Sequence, residues 1–223
     1  IGTPATLTIG VGRDGQTLQE NYDFATLGVE MSLSRGGDQA VVKDRYNFAF
    51  YGGRAQEAER RTRVKSRVMA GSLSELITQS PNVLIMGHKN EDFDALGAAM
   101  GVARMVRFSK KPVHILLSDL NEGIDKFTER MADKPEYTSL FLHENALDTM
   151  MPGPKALLVI VDTHIPKMVA SSRLLAAVSR KIIIDHHRRS EDMIETPQLS
   201  YIEPSSSSTS EMVSELTIYY ADD

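Results

Sequence analysis

Three apolar runs in this chain end the same way. Ile85-Met86-Gly87 leads into His88, Asp92 and Asp94, Leu157 to Val161 into Asp162, and Lys181 to Ile184 into Asp185-His186-His187. A strand that is apolar throughout must be covered on both faces, the condition of strands inside a parallel sheet. Polar residues just past its exit then fall at the carboxyl edge, where open α/β sheets bind their ligands. Three such exits carrying carboxylates and imidazoles point to one metal site assembled along that edge.

The spacing of the rest supports this fold. From Asn82 onward strands and helices alternate. Strands are expected at Val83–Met86, Val113–Leu117, Ser139–His143, Ala156–Val161 and Lys181–Ile184. Helical segments are expected at Asp94–Arg107, Ile124–Met131, Glu144–Met150, Ser171–Val178 and Thr209–Tyr220. Repeated β-α units of this kind predict an α/β fold with a doubly wound, mostly parallel sheet. Before it lies a small α+β fragment. It has a strand at Ala5–Val11, a helix at Gln19–Leu33 weakened by Gly28 and closed by Gly36-Gly37, and strands at Gln39–Lys43 and Asn47–Tyr51. Arg54 to Gln79 reads as one long helix, basic in its first half. It is either a solvated connector or a phosphate or interdomain contact. Ser80-Pro81-Asn82 breaks it. The expected division is therefore 1–53, a connector 54–80, and an α/β domain 81–223.

The absence of cysteine among 223 residues excludes disulfides, thiolate nucleophiles and zinc–thiolate sites. Any metal must be held by His, Asp and Glu, which suit Mn²⁺, Mg²⁺ or Fe²⁺ at least as well as Zn²⁺. A net charge of −5 gives no reason to expect duplex nucleic acid as a partner. The apolar runs fall far short of the roughly 20 residues that span a bilayer, so no membrane contact by this chain is expected. Neither end reads as a natural terminus, and a piece of a longer protein is expected.

Each polar residue at the edge has an ordinary alternative. Asp94 alone can cap the helix that follows, but capping does not explain His88 and Asp92 beside it. Asp162 can cap the next turn, or can bridge two cations held about 3.5–4 Å apart. One histidine after Asp185 can be a core residue, but two in a row after an acid fit that poorly. Arg188 and Arg189 are either a solvated pair or bidentate partners for phosphate. Ser207, Ser208 and Thr209 belong to a serine-rich stretch, Glu203 to Ser210. It is either a flexible linker or a helix start whose free N–H groups suit phosphate. His114 and His143 read as structural, and His164 is open between structure and substrate contact.

His88, Asp92, Asp94, Asp162 and Asp185-His186-His187, in this order, resemble the successive motifs of the DHH phosphoesterase family. A wider set of segments is similar to the GdpP/YybT-type cyclic-di-AMP phosphodiesterases. These are Ile9-Gly10-Val11-Gly12, Ser34 to Gln39, Phe50-Tyr51-Gly52-Gly53, Glu59 to Val64, Met86 to Lys89, Asp185 to Arg189, and Ser207 to Glu211. The resemblance covers essentially the whole chain. It implies that residues 1–53 are the tail of a degenerate GGDEF domain and 81–223 a DHH domain. In that family a membrane segment and a PAS domain precede these parts and a DHH-associated domain follows. Arg35 to Gln39 looks superficially like the GGDEF signature, but its position and missing Glu-Phe make cyclase activity unexpected.

The resemblance further implies two Mn²⁺ ions. His88, Asp92 and Asp162 would hold one, and Asp94, Asp162 and His186 the other, with one more Asp ligand supplied from beyond residue 223. Asp185 would then orient a histidine and His187 would face the phosphate. Arg188 and Arg189 would contact the substrate, as would Ser207 and Ser208. The implied reaction is hydrolysis of cyclic di-AMP to pApA by a homodimer on the cytoplasmic side of a membrane-anchored parent. The alternatives are a family II pyrophosphatase or an oligonucleotide exonuclease of the same group, which the GGDEF-like segment disfavours. A third is a catalytically incomplete regulatory fragment.

Overall fold

Why the apolar runs become strands is clearest from what covers them. In the computed structural model, all four residues of β4 (Val83–Met86) and all five of β7 (Leu157–Val161) are buried. In β8 (Arg180–Asp185) the last four are buried. Alternate residues face opposite layers, as the twofold period of a strand requires. Val83, Ile85, Leu157, Val159, Val161, Ile182 and Ile184 share one apolar cluster. Leu84, Met86, Leu158, Ile160 and Ile183 share the other. Each such side chain, fully buried, contributes about 1.5–3 kcal/mol. The structure describes residues 7–34, 37–52, 55–118, 122–137, 139–150 and 152–220.

The chain divides into two compact units, Ile1–Val64 and Lys65–Asp223, and the division falls inside helix α2 (Ala55–Thr78). In the first unit, β1 (Ile9–Gly12) pairs parallel to β2 (Gln39–Lys43), which pairs antiparallel to β3 (Phe48–Gly52). Helix α1 (Leu18–Ser34) lies on β1 and β2 and continues through Gly28. A Cβ on Gly28 would sit 3.2 Å from the Val41 carbonyl oxygen, so glycine here permits close helix–strand packing. Gly37 ends the helix with φ 72° and an N–H donated to the Ser32 carbonyl, a left-handed cap. Ala5, Thr6 and Gly36 lie outside the described residues.

The second unit holds a six-stranded sheet, all parallel. It comprises β4, β5 (Val113–Leu116), β6 (Phe141–Leu142), β7, β8 and β9 (Leu199–Ile202). Between them run α3 (Phe93–Phe108), α4 (Glu122–Ala132) and α5 (Ser172–Ala177), with short 3-10 turns at Glu144–Asp148 and Pro166–Met168, and α6 (Thr209–Tyr220) follows β9. Ala70, Leu73 and Ile77 of α2 join α3 and α6 in the first apolar cluster.

Strand β9 was not among the sequence expectations. Leu199-Ser200-Tyr201-Ile202 is only four residues long and interrupted by a serine, with its first two residues half-buried and its last two buried at the sheet edge. The spatial order is β6-β5-β4-β7-β8-β9. The order reverses between β4 and β7, and the crevice at such a reversal is where doubly wound sheets bind ligands.

Candidate metal centre

The loop leaving β4 carries the first group. His88 follows Gly87 and forms an isolated antiparallel bridge with Val169. The Lys89 N–H donates to the Met168 carbonyl at 2.6 Å, and the Ala170 N–H to the Gly87 carbonyl at 2.9 Å. The His88 ring is therefore held against the segment after β7, with Nδ1 3.0 Å from the Lys89 carbonyl. Nε2 is left to face the carboxylates. The helix cap falls on Asp92, not on Asp94. Asp92 Oδ1 accepts the N–H groups of Asp94 at 2.9 Å and Ala95 at 3.0 Å. The ordinary capping role considered for Asp94 thus belongs to its neighbour, because Asp92 has the extended backbone an N-cap needs.

Asp94 instead faces α6. Its two carboxylate oxygens accept the Thr209 N–H at 2.9 Å and the Ser210 N–H at 2.8 Å, the free donors of that helix's first turn. Ser210 Oγ also donates to the Asp94 carbonyl at 2.8 Å. A Cβ on Gly97 would lie 2.7 Å from Ser210 Oγ, so only glycine lets α6 come this close. Burial works against charge on Asp94, but the Ser210 and Thr209 donors, with His186 nearby, hold its pKa below the usual value.

Asp162 is the centre of the group. It directly follows β7, donates its backbone N–H to the Ile184 carbonyl at 2.9 Å, and turns with φ 59°. This left-handed conformation is uncommon for residues with a Cβ and better tolerated by Asp than by most. It puts a 3%-exposed carboxylate at the switch point. Thr209 Oγ1 donates to Asp162 Oδ1 at 2.7 Å. His88 Nε2 lies 3.5 Å from Asp162 Oδ2, and His186 Nε2 3.6 Å from Oδ1. Asp162 is the main cause of the raised pKa of His88, pushed to about 9. Burial opposes the shift, and the Lys89 carbonyl and Asp92 add to it.

The tripeptide that begins at the last residue of β8 divides its work. Asp185 is fully buried. One oxygen accepts from His187 Nδ1 at 2.7 Å and from the His187 N–H at 3.1 Å, and the other takes His164 Nδ1 at 2.5 Å. His164 also accepts the Ser190 N–H on Nε2 at 3.0 Å. Both its ring nitrogens are used inside the protein, which makes His164 a strut for the 187–194 loop and leaves it no nitrogen for a substrate. His186 Nδ1 lies 3.4 Å from the Ser206 carbonyl, and its Nε2 is 3.8 Å from Asp94 Oδ2.

These separations carry a chemical meaning. At 3.5–3.8 Å the imidazole Nε2 atoms are too far from the carboxylates for good hydrogen bonds. Two ligand atoms each about 2.1–2.2 Å from one cation, at tetrahedral or trigonal angles, stand roughly that far apart. His88, Asp92 and Asp162 form one group able to hold an ion, and Asp162, His186 and His187 form another, so Asp162 is common to both. His88 and His186 each have Nδ1 beside a backbone carbonyl, the arrangement that frees Nε2 for a metal.

The surrounding cavity, about 510 Å³, is lined by His88, Asp92, Asp94, Asp162, Asp185, His186, His187 and Arg188, with Thr163 to Ile165 and Met168. Arg188 and Arg189 are exposed, and only the former lines the cavity. Ser207 and Ser208 do not line it. Ser207 donates its N–H and hydroxyl to Glu211, and Ser208 Oγ caps α6 by accepting the Glu211 N–H. The serine-rich stretch is thus an ordered capping turn rather than a linker. Sequence reasoning missed the part of Ser210 beside Asp94. It also missed Glu91, which is buried and takes both the N–H and the hydroxyl of Ser118, tying the His88 loop to the end of β5. Ser208-x-x-Glu211 was a legible capping signature. Nothing local marked Glu91.

Fold and site together define a doubly wound α/β domain with an acid–histidine centre at its switch point. Residues 82–223 match the family described as the DHH family, N-terminal domain, and the chain belongs to that family. It is a homologue of cyclic-di-AMP phosphodiesterases. It is 38% identical over 222 residues to the cyclic-di-AMP phosphodiesterase GdpP of Bacillus subtilis, covering 98% of this chain and 33% of that protein. It is 37% identical over 223 residues to the cyclic-di-AMP phosphodiesterase PdeA of Listeria monocytogenes, covering 98% and 34% respectively. The chain therefore spans about a third of the length of these curated relatives. An exopolyphosphatase-related protein from Bacteroides fragilis shares the fold, with TM-score 0.52 and 21% identity, covering 69% of this chain and 44% of that one. Among the described residues no helix is long and apolar enough to cross a membrane.

Proposed function

We propose that this chain carries the metal-binding half of a phosphodiesterase that hydrolyses cyclic di-AMP to pApA with two manganese ions. The observation that carries the reading is Asp162, buried between His88 and His186 at 3.5 and 3.6 Å and common to both ligand groups. The donor set fits the ions: nitrogen and oxygen only, with carboxylates in the majority and no thiolate in the chain. His88, Asp92 and Asp162 would hold one ion; Asp162 and His186 would hold the other, with Asp94, whose Oδ2 lies 3.8 Å from His186 Nε2, as its third ligand in place of the His187 of the second group. When bound, such a pair would activate a water molecule and neutralise charge on the phosphate.

The chain's own residues supply the rest. Asp185 fixes the His187 ring through Nδ1, which leaves Nε2 of this cavity-lining residue as the donor for a phosphate oxygen or a leaving oxygen. Arg188 adds a guanidinium at the same opening, suited to a second phosphate oxygen, with Arg189 beside it. Thr209 and Ser210 hold the two carboxylates in register. Ser207 and Ser208 support the site through the α6 cap and are not assigned a substrate contact. The relatives' threefold greater length supports a longer parent that carries the remaining ligand and substrate-binding parts; its cytoplasmic placement, membrane anchor and dimeric state are carried over from the family resemblance alone.

The test is direct. The full-length protein is incubated with Mn²⁺ and cyclic di-AMP, and the products are separated by chromatography. Appearance of pApA, lost on chelation, is expected. No hydrolysis under manganese would sink the reading.

A further inference from the structure

Helix α2 meets the strand and turn that lead into α6 at one polar point. Lys65 Nζ donates to Glu203 Oε2 at 2.7 Å and lies 5.2 Å from the centre of the Tyr201 ring. Next to it, Ser66 is fully buried, 3.0 Å from the Tyr201 hydroxyl, and donates to Glu215 of α6 at 2.8 Å. Glu203 has further partners. Its other carboxylate oxygen accepts Ser205 Oγ at 2.8 Å, its carbonyl accepts the Ser206 N–H at 3.1 Å, and its own N–H donates to the Asp185 carbonyl at 3.0 Å. The Ser206 carbonyl faces His186 Nδ1 at 3.4 Å. A continuous chain of contacts therefore runs from Lys65 through Glu203 and Ser206 to His186.

We infer that Lys65 and Glu203 are positioning residues for His186, so that the placement of helix α2 at Lys65 sets how well this histidine serves the second ion. The inference rests on His186 being a ligand, as proposed above. A ligand histidine needs a fixed partner on its other nitrogen to orient the ring and keep its proton on Nδ1. At 3.4 Å the Ser206 carbonyl is at the outer limit of that role, so small displacements of the 203–206 turn change the contact steeply. Lys65 holds the turn from outside, by a charge-assisted bond to a carboxylate whose pKa it lowers against the opposing effect of burial. No other cation of the described residues is within ion-pairing distance of Glu203. The contact is also the first point of the second unit along α2, because the helix groups with the first unit up to Val64 and with the second from Lys65 on.

The experiment compares wild type, Lys65→Met, Lys65→Arg, Glu203→Gln and Lys126→Met in the full-length protein. Among the described residues Lys126 pairs only with exposed Glu122 on α4, and it serves as a control. Mn²⁺ is titrated and free ion read by electron paramagnetic resonance, and amide hydrogen exchange is followed in the metal-free protein. In Lys65→Met and Glu203→Gln, one of two Mn²⁺ sites is expected to weaken about tenfold, the usual scale for loss of an outer partner of a ligand. The other site keeps its affinity, and the Ser206 amide exchanges faster. Lys65→Arg restores both, and Lys126→Met changes neither. Two unaltered Mn²⁺ sites in Lys65→Met, or equal weakening of both, would overturn the inference and leave the metal reading standing. A wild type that binds no Mn²⁺ would overturn both.

Discussion

Replacing Asp162 by Asn removes one charge and little else. The amide keeps the volume, tolerates the φ of 59°, and keeps an oxygen for the Thr209 hydroxyl at 2.7 Å. The electrostatic change is large. A full charge pair at 3.5 Å and an effective dielectric near 20 is worth roughly 4–5 kcal/mol before desolvation opposes it. That agrees in scale with the rise of His88 from 6.5 to about 9, which corresponds to about 3.4 kcal/mol. Asp92 at 3.8 Å and the Lys89 carbonyl at 3.0 Å remain in the variant. His88 of metal-free Asp162→Asn is therefore expected to titrate at least one pH unit lower, without returning fully to its ordinary value. Ring-proton NMR across pH 5–10 reads this directly, and Mn²⁺ binding by the same variant is expected to fall at both sites. A His88 that still titrates near 9, or a variant that holds two Mn²⁺ ions normally, would refute the bridging role of Asp162.

Four further outcomes follow from the same geometry. The His88 pKa is raised on folding, so its contribution to metal-free stability is complete below about 6.5 and disappears as pH climbs through about 9. Because a metal needs the neutral ring, Mn²⁺ affinity is expected to rise over that same window, by calorimetry at stepped pH. Thr209→Val removes the donor to Asp162 Oδ1 in a fully buried position, and is expected to cost about 1–3 kcal/mol of metal-free stability by denaturant titration. Gly101→Ala would stabilise an exposed helix by about 1 kcal/mol. Here the new Cβ would lie 2.5 Å from Val213 Cγ1 of α6, so a loss of about 1–3 kcal/mol is expected instead, read as a lowered Tm.

Much of this protein was legible in one dimension because its strands are buried on both faces. Val83–Met86 and Leu157–Val161 are apolar without interruption, so their extent and the positions of His88 and Asp162 at their exits could be read directly. Gln39–Lys43 and Thr209–Tyr220 likewise fall where the residue pattern puts them. Strand Leu199–Ile202 escaped because an edge strand needs only part of its surface apolar.

The division of labour among acids and imidazoles was decided by the tertiary structure. Asp92 and Asp94 are equivalent as letters. Backbone conformation makes the first a cap, and the approach of α6, 115 residues later in sequence, gives the second its two N–H partners. His164 and His187 look equally available, yet both lean on the Asp185 carboxylate, and of the two only His187 keeps a ring nitrogen that is not engaged by another described residue. Periodicity records which residues must leave water. It carries no information about strand order, and it is the order, with β4 beside β7, that brings the three polar exits to one point.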